Sequence, residues 1–333
     1  MASFIIRGLA IAQADRKITS VQLDEELGLK SGYIAKRSGV QHRFYLNAKI
    51  SQSEFAATAV KQALKQAHLR KSDLDLLIST SAVPEQAIPS TACFVAHHLG
   101  LPKGTPAFDI NASCLGFLVS LFTAINLLET QAYKRIAVVA SDLASRGLNW
   151  NDLHSAPIFG DGAAAIIIES ATQAVNSEGK LANCLAYLFE TYAEGRHFCE
   201  IKAGGTRINS TTEMTETDFQ FSMDGKAVFK IAMQKLEKFI EKLLAQANLT
   251  YQDIDCVVLH QASHLGMEHA IHRMKFKPDT IVNIYSEHGN QVSASIPTTL
   301  FYADQQGKLA KGNKVLLLGT AAGFSIGGMI LGL

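Results

Sequence analysis

The feature that most constrains the fold is a repeat within the chain. The segment QAHLRKSDLDLLIST begins at Gln66, and a similar segment, QANLTYQDIDCVVLH, begins at Gln246. Both contain the frame Q-A-x-L-x-x-x-D-x-D followed by an apolar run, at an offset of 180 residues. In each copy the pattern predicts a helix that ends, a polar turn, and a strand that is covered on both faces. Because such self-similarity indicates duplicated units, we predict two copies of one α/β unit.

Further segments align at nearly the same spacing, which extends the repeat along the chain. At an offset of 179 residues the matching pairs are Asn111–Cys114 with Asn290–Ser293, SLF at 120–122 with TLF at 299–301, and KRIAVVAS at 134–141 with NKVLLLGT at 313–320. The first of these pairs predicts that Cys114, in one half, faces an element of the other half that begins at Asn290.

The predicted domain organisation follows from the repeat. We predict an α/β protein whose halves, residues 1–172 and 173–333, each form a mostly parallel sheet with covering helices and pack about a pseudo-twofold axis. The segment from about 176 to 217 breaks the symmetry and shows little periodicity. A loop of that length is more often a lid or a binding element than filler, so we expect one there.

Charge and cysteine content exclude several classes of function. The formal net charge of +1 argues against a surface built to bind nucleic acid or anionic lipid. No apolar run reaches the roughly 18 residues that span a bilayer, and the start of the chain has no basic region before its apolar residues, so we predict a cytoplasmic protein. The cysteines number five and include no C-x-x-C pair, which predicts neither a disulfide framework nor a zinc site.

The stretch DINASCLGFLVSL, residues 109–121, places Cys114 where small residues give way to an apolar helix. At a helix N-terminus, backbone N–H groups and the helix dipole favour a thiolate, so Cys114 is a candidate nucleophile. A small buried core residue is the alternative interpretation. Candidate partners are His260 and Asn290. His260 follows the carboxyl end of a predicted strand, where binding sites of open α/β sheets tend to lie, and Asn290 lies in a Gly-Asn loop.

Metal-binding and phosphate-binding interpretations find little support. His260 and His264 have i, i+4 spacing, but Gln261 stands where a zinc protease needs a Glu, so we expect no metal. The Gly-rich runs at 159–168 and 316–331 lack the Gly-Lys-Ser/Thr ending of a P-loop and predict tight turns with close backbone packing. Their N–H groups could still form an oxyanion hole.

Taken together, several motifs resemble a known family across nearly the whole chain. The motifs are AFDINASCLGF, FGDGAAA, LHQAS, GNQVSASIP, YIAKRSGVQHR, MDGKAVFK and the Gly-rich C-terminal hairpin. The combination resembles thiolase-fold condensing enzymes of the β-ketoacyl-acyl-carrier-protein synthase III type. The resemblance implies a thiolase-like α/β fold with five layers in the order α-β-α-β-α.

The resemblance also implies roles for particular residues. Cys114 would accept the acyl group, and His260 and Asn290 would complete a Cys-His-Asn triad. The oxyanion hole would consist of the Cys114 N–H and an N–H in the Ala322–Gly323 turn. Such an enzyme would load an acyl group from acyl-CoA and condense it with malonyl-ACP or malonyl-CoA, with loss of CO2, in fatty acid or specialised biosynthesis. No cofactor is implied, since acyl-CoA is a substrate.

Binding residues are implied in the same way. Tyr33 and Arg37 match positions that contact the adenine and phosphate end of coenzyme A, with Tyr33 in place of the usual Trp. Phe159 would line the acyl pocket, and Ile88 would reach into the acyl pocket of the neighbouring subunit, because the family forms homodimers. Relatives that join two long acyl chains tend to carry a Glu at the position of Ile88.

This chain departs from the family pattern at two further places. Leu265 replaces an Arg that helps the acyl carrier protein dock, and Ala321-Ala322-Gly323 replaces Gly-Gly-Gly. A specialised role is therefore expected. Two alternatives stay open: an acyltransferase that passes the acyl group to an amine or alcohol, and a non-catalytic partner subunit. A degradative thiolase is disfavoured, because no cysteine follows Cys256 to act as its second catalytic thiol.

Overall fold

The structure, a computed structural model, describes residues 3–173 and 178–333. Its strands are β1 Ser3–Ala12, β2 Arg16–Thr19, β3 His42–Tyr45, β4 Leu76–Thr80, β5 Ala107–Asp109, β6 Arg135–Asp142, β7 Gly162–Ser170, β8 Lys180–Thr191, β9 Cys199–Glu200, β10 Ser222–Met223, β11 Cys256–Leu259, β12 Ile281–Val282, β13 Lys314–Ala321 and β14 Ser325–Gly332. Its helices are α1 Ser20–Glu26, α2 Tyr33–Ser38, α3 Gln52–Gln66, α4 Thr91–Leu99, α5 Gly116–Glu129, α6 Gly225–Gln246, α7 His264–Arg273, α8 Tyr285–His288 and α9 Ser295–Gln305.

A ten-stranded mixed sheet organises the fold, in the order β12-β11-β13-β14-β8-β1-β7-β6-β4-β5. On one side, β4 pairs in parallel with β5 and β6, and β6-β7-β1 continue antiparallel. On the other side, β11 pairs in parallel with β12 and β13, and β13-β14-β8 continue antiparallel. The two groups of five strands thus repeat one topology and meet at the antiparallel pair β1–β8.

Five layers result, because the strands are covered on both faces. Leu76 and Ile78 of β4 point into a central core that also contains the buried residues of α5 and α9, whereas Leu77 points to an outer core with α3 and α4. Strand β11 repeats the arrangement: Val258 faces the central core, and Val257 faces an outer core with α6 and α7. The layer order α-β-α-β-α confirms the predicted fold class. The prediction that each half forms a mostly parallel sheet was wrong, because each group of five strands has two parallel and two antiparallel pairings and the groups join into one sheet.

The repeated frame Q-A-x-L-x-x-x-D-x-D has a structural explanation. In both copies a residue with positive φ follows the helix, His68 at 52° and Asn248 at 55°. The second Asp of each frame holds the start of a neighbouring strand: Asp75 accepts the Arg135 N–H at 2.8 Å, and Asp255 accepts the Lys314 N–H at 2.8 Å. The carboxylates therefore fix how β4 and β11 meet their parallel neighbours.

The segment 176–217, which we expected to be a long loop with a lid or binding element, is only partly irregular. Residues 176 and 177 lie outside the described residues, but Lys180–Thr191 forms β8, a central strand of the sheet. The prediction was wrong there because Ala182, Cys184 and Ala186 alternate inward with small side chains, which give a weak hydrophobic signal. Irregular chain with 3₁₀ turns and the short β9–β10 ribbon follows up to α6. The domain boundary at 172/173 stays a prediction.

Among the described residues, no helix is both long enough and apolar enough to cross a membrane.

Candidate active site

Cys114 lies in a 3₁₀ turn, Ser113–Leu115, that leads directly into α5. Ser113 has a φ of 51°, and the Asn111 side chain stabilises this turn by accepting the Ser113 N–H at 2.8 Å. A Cβ on Gly116 would lie 2.0 Å from Thr80 Oγ1. The small residues around Cys114 thus let the end of β4 press against the start of the helix.

The electrostatic environment of Cys114 differs from the prediction. Burial raises the pKa of its thiol to about 12, and the nearby Asp142 and Cys199 act in the same direction. Hydrogen bonds to the sulfur from the N–H groups of Ala322 and of Cys114 itself lower the pKa, but they are outweighed. The expectation that the helix terminus favours the thiolate was therefore wrong for the net effect, because desolvation of the charged form dominates.

The two N–H groups at the sulfur come from different halves of the chain. The Cys114 N–H belongs to the turn before α5, and the Ala322 N–H belongs to the turn between β13 and β14. Gly323 supplies the backbone shape of that turn, with a φ of 106°. Convergent N–H donors of this kind can hold an oxygen that becomes negative during acyl transfer.

His260 directly follows β11, and its N–H donates to the Leu318 carbonyl at 2.9 Å. The side chain is buried, and its Nδ1 has no hydrogen-bond partner among the described residues. Burial lowers the pKa of His260 to about 4, so the imidazole is neutral at physiological pH. A neutral imidazole carries one N–H that it can donate to a substrate.

Asn290 is held by hydrogen bonds to both its backbone and its side chain. Its N–H donates to the Ile158 carbonyl at 2.7 Å. Its Oδ1 accepts the Val292 N–H at 2.8 Å, and its Nδ2 donates to the Ala262 carbonyl at 3.2 Å. One hydrogen of the Nδ2 amide remains for another acceptor. The contact to Ala262 ties Asn290 to the segment that carries His260.

The packing around Gly319 of β13 shows how these elements converge. A Cβ at Gly319 would lie 3.0 Å from His260 Cβ and 3.1 Å from Leu115 Cδ2. Leu115 adjoins Cys114, so one glycine separates the segments of the predicted nucleophile and the predicted histidine. The site therefore forms where the carboxyl ends of β11 and β13 meet the N-terminus of α5, as sites in open α/β sheets tend to do.

The sequence interpretation missed Asp142, which ends β6 and is buried beside the site. Burial raises the pKa of its carboxyl to about 7, although hydrogen bonds from Ser293 and Ala82 act in the opposite direction. In the alignment of the repeat, Asp142 pairs with Ala321. This mismatch between an acid and an alanine was the available signal that the two halves differ at this position.

The predicted CoA-binding residues lie on one short helix. Tyr33 and Arg37 belong to α2, whose first turn is held by the buried Asp24 through the Gly32 and Ile34 N–H groups. The Arg37 guanidinium lies 5.8 Å from the centre of the Tyr33 ring, and its Nη2 lies 2.8 Å from Nδ1 of His154, a residue that the sequence did not single out.

The predicted acyl-pocket residues lie in different environments. Phe159 is buried, packs edge-on against Phe221 at 5.0 Å, and forms a backbone bridge with Asn290. Ile88 is 83% exposed on the loop after β4. A cavity of about 260 Å³ borders the same loop and is lined in part by Asn111.

Leu265 lies in the first turn of α7, five residues after His260, and is 65% exposed.

Comparisons with known structures define the class of protein. The 3-oxoacyl-[acyl-carrier-protein] synthase III from Aquifex aeolicus VF5 matches with a TM-score of 0.86 and 25% identity, over 99% of this chain and 100% of that chain. A variant of OleA from Xanthomonas campestris matches with a TM-score of 0.85 and 22% identity, over 99% and 98% of the chains, which shows a likeness of fold. The fold is that of the thiolase-type condensing enzymes.

Sequence comparisons give the family. The model for 3-oxoacyl-[acyl-carrier-protein] synthase III matches residues 108–182, and the model for its C-terminal part matches residues 244–333. The β-ketoacyl-[acyl-carrier-protein] synthase III of Syntrophomonas wolfei is 33% identical over 98% of this chain and 96% of the relative. The chain belongs to the β-ketoacyl-[acyl-carrier-protein] synthase III family, and it is an acyltransferase of the condensing type.

Proposed function

We propose that the protein transfers an acyl group from acyl-CoA to Cys114 and then condenses it with a malonyl thioester, with loss of CO2, to give a β-ketoacyl product. The observation that carries the proposal is the pair of N–H groups, from Cys114 and Ala322, that meet at the Cys114 sulfur. After acylation the same N–H groups can hold the thioester oxygen. The proposal thus assigns the reaction of the family to particular residues of this chain.

The first step is acyl transfer to the thiol. At neutral pH a cysteine thiol is protonated, and burial makes the thiolate of Cys114 still rarer by raising the pKa to about 12. The thiol therefore loses its proton as it attacks, and the proton leaves with the coenzyme A thiol. A covalent acyl-enzyme divides a difficult condensation into two easier steps.

The second step uses His260 and Asn290. Loss of CO2 from the malonyl thioester leaves an enolate, and its oxygen can accept the N–H of neutral His260 and the unshared amide hydrogen of Asn290. Removal of one such donor in a comparable site costs about 3–4 kcal/mol of transition-state stabilisation. The enolate carbon then attacks the acyl group, and Cys114 leaves as a thiolate that takes up a proton.

The substrate sites are proposed from the same arrangement. Tyr33 and Arg37 offer an aromatic face and a cation to the adenine and phosphates of acyl-CoA, and the buried Phe159 lines the acyl pocket. A homodimer would cover exposed Ile88 and the edge strand β5, whose Phe108 is 37% exposed. Leu265 favours an extender that is not bound to the usual carrier. We expect the enzyme to act in the cytoplasm, in fatty acid or specialised biosynthesis.

Intact-protein mass spectrometry tests the proposal directly. Wild type and Cys114→Ala are incubated with acyl-CoAs from C2 to C12, and malonyl-CoA or malonyl carrier protein is then added. We expect acyl adducts on the wild type alone, discharged with release of CO2 only when a malonyl thioester is present. A matched Cys256→Ala variant, which removes a buried thiol of β11, should keep its adduct.

Other outcomes select the alternatives. Discharge of the adduct by an amine or alcohol, without release of CO2, would move the assignment to simple acyl transfer. Absence of any adduct from both acyl-CoA and acyl carrier protein donors would favour a non-catalytic partner subunit.

A further inference from the structure

The carboxylate of Asp142 joins two loops that belong to different halves of the chain. Its Oδ1 accepts the Ala82 N–H at 2.9 Å, in the loop after β4. Its Oδ2 accepts the Ser293 N–H at 2.9 Å and also the Ser293 hydroxyl. Each carboxylate oxygen therefore accepts hydrogen bonds from a different half of the chain.

Both loops are hydrogen-bonded to residues that hold the turns of the proposed site. The Ala82 carbonyl accepts Asn111 Nδ2 at 3.1 Å, and Asn111 stabilises the turn that presents Cys114. Ser293 lies in the 3₁₀ turn Val292–Ala294, whose first N–H is held by Asn290 Oδ1. A continuous chain of hydrogen bonds thus runs from the nucleophile turn through Asp142 to the Asn290 turn.

The repeat shows that the two halves differ at this link. Ser293 is the counterpart of Cys114, and Ala321 is the counterpart of Asp142. In the first half the thiol receives the N–H of Ala322, whereas in the second half the serine donates to a carboxylate. The two equivalent turns therefore have different partners: a backbone N–H for Cys114 and a carboxylate for Ser293.

We propose that Asp142 is a positioning residue that fixes the Asn290 turn against the Cys114 turn. The inference rests on the proposed function for its catalytic consequence. The link between the two turns does not depend on it, because its hydrogen bonds are present without substrate.

The test compares three variants. Asp142→Asn removes the charge and leaves one oxygen, so one of the two loops loses its acceptor. Ser293→Ala keeps the charge and the backbone contact but removes the hydroxyl bond. Asp161→Asn is the matched control, since Asp161 is also buried and accepts the Leu46 N–H, the Ser145 N–H and the Ser145 hydroxyl.

The first readout is the rate of Cys114 alkylation by iodoacetamide at about pH 8, followed by mass spectrometry of the peptide that contains it. We expect Asp142→Asn to raise this rate severalfold, because the turn that holds Cys114 loses its tie to the Asn290 turn, while Ser293→Ala and Asp161→Asn leave it unchanged. An unchanged rate in Asp142→Asn, or an equal rise in Asp161→Asn, would overturn the link between the two turns. Alkylation needs neither acyl-CoA nor a malonyl thioester, so this result stands apart from failure of the proposed function.

The second readout separates acylation from condensation. We expect Ser293→Ala to lower the condensation rate by about tenfold and the acylation rate by less than about threefold, because it loosens the Asn290 turn and spares Cys114. Equal losses in both steps would show a structural role only and would overturn the positioning role. This variant keeps the backbone contact, so it tests the positioning role even if Asp142→Asn fails to fold.

Discussion

Gly319→Ala should impair condensation more than acylation, because the added methyl group meets the segments of two proposed catalytic residues. The new Cβ would lie 3.0 Å from His260 Cβ, 3.1 Å from Leu115 Cδ2 and 3.2 Å from Ile296 Cδ1. Normal carbon contacts lie at about 3.5–4.0 Å, so each neighbour must move by a few tenths of an ångström. The leucine and isoleucine tips can rotate away, whereas the His260 Cβ is attached to a backbone held by the Leu318 carbonyl.

The magnitude follows from this overlap. Overpacking of a well-filled core costs about 1–3 kcal/mol of unfolding free energy. Since a displacement of about 1 Å at a reacting group can cost 100-fold in rate, a few tenths of an ångström at His260 should lower condensation roughly tenfold. Acylation should fall less, because Cys114 is contacted only through the mobile tip of its neighbour.

Urea unfolding measures the stability, and intact-mass kinetics with and without a malonyl thioester measure the two steps. Gly332→Ala is the matched control: its Cβ would lie 3.1 Å from Leu185 Cδ1, so it meets similar crowding near the end of β14, away from the site. It should lose stability and keep both rates. Condensation at the wild-type rate in Gly319→Ala, or an equal loss of acylation, would refute the reasoning.

Three further changes probe other parts of the structure. Burial lowers the pKa values of His260 and His288 to about 4, so the folded protein resists protonation that the unfolded chain accepts, and the unfolding free energy should fall as pH decreases from about 6.5 to 4. Urea midpoints across this range should show a loss of up to about 1.4 kcal/mol per pH unit per histidine, and a flat curve would contradict the assignment. Asn290→Ala should still form the acyl adduct but slow the release of CO2 by about 100-fold, as measured with radiolabelled malonyl thioester; an unchanged rate would exclude its donor role. Leu265→Arg should raise the rate with malonyl carrier protein severalfold relative to malonyl-CoA, whereas equal changes with both extenders would argue against a docking role at this position.

The overall architecture could be predicted from the sequence because the repeat consists of patterns within short segments. The frame at Gln66 and Gln246 encodes a helix end, a turn and a buried strand, and these features depend on residues within one short segment. The matched segments Asn111–Cys114 and Asn290–Ser293 also form turns of similar conformation in the structure, since Ser113 and Val292 both have positive φ, 51° and 54°.

Strand β8 could not be predicted in the same way. Its inward residues are small, and its place between β14 and β1 depends on two partners that lie far away in the sequence. A central strand with a weak local pattern forms because both of its edges find hydrogen-bond partners, and only the assembled sheet decides that.

For the candidate site, too, some features depend on local sequence and others on tertiary structure. Small residues before an apolar helix singled out Cys114 as a candidate, and a strand end singled out His260, because both signals are local. The pKa of the thiol is set by the balance among burial, the Asp142 carboxylate and two N–H groups, one of them from Ala322. These groups are separated by long stretches of chain, and electrostatic effects depend on distance in space, so tertiary structure alone decides how far the pKa of the thiol is raised above its ordinary value.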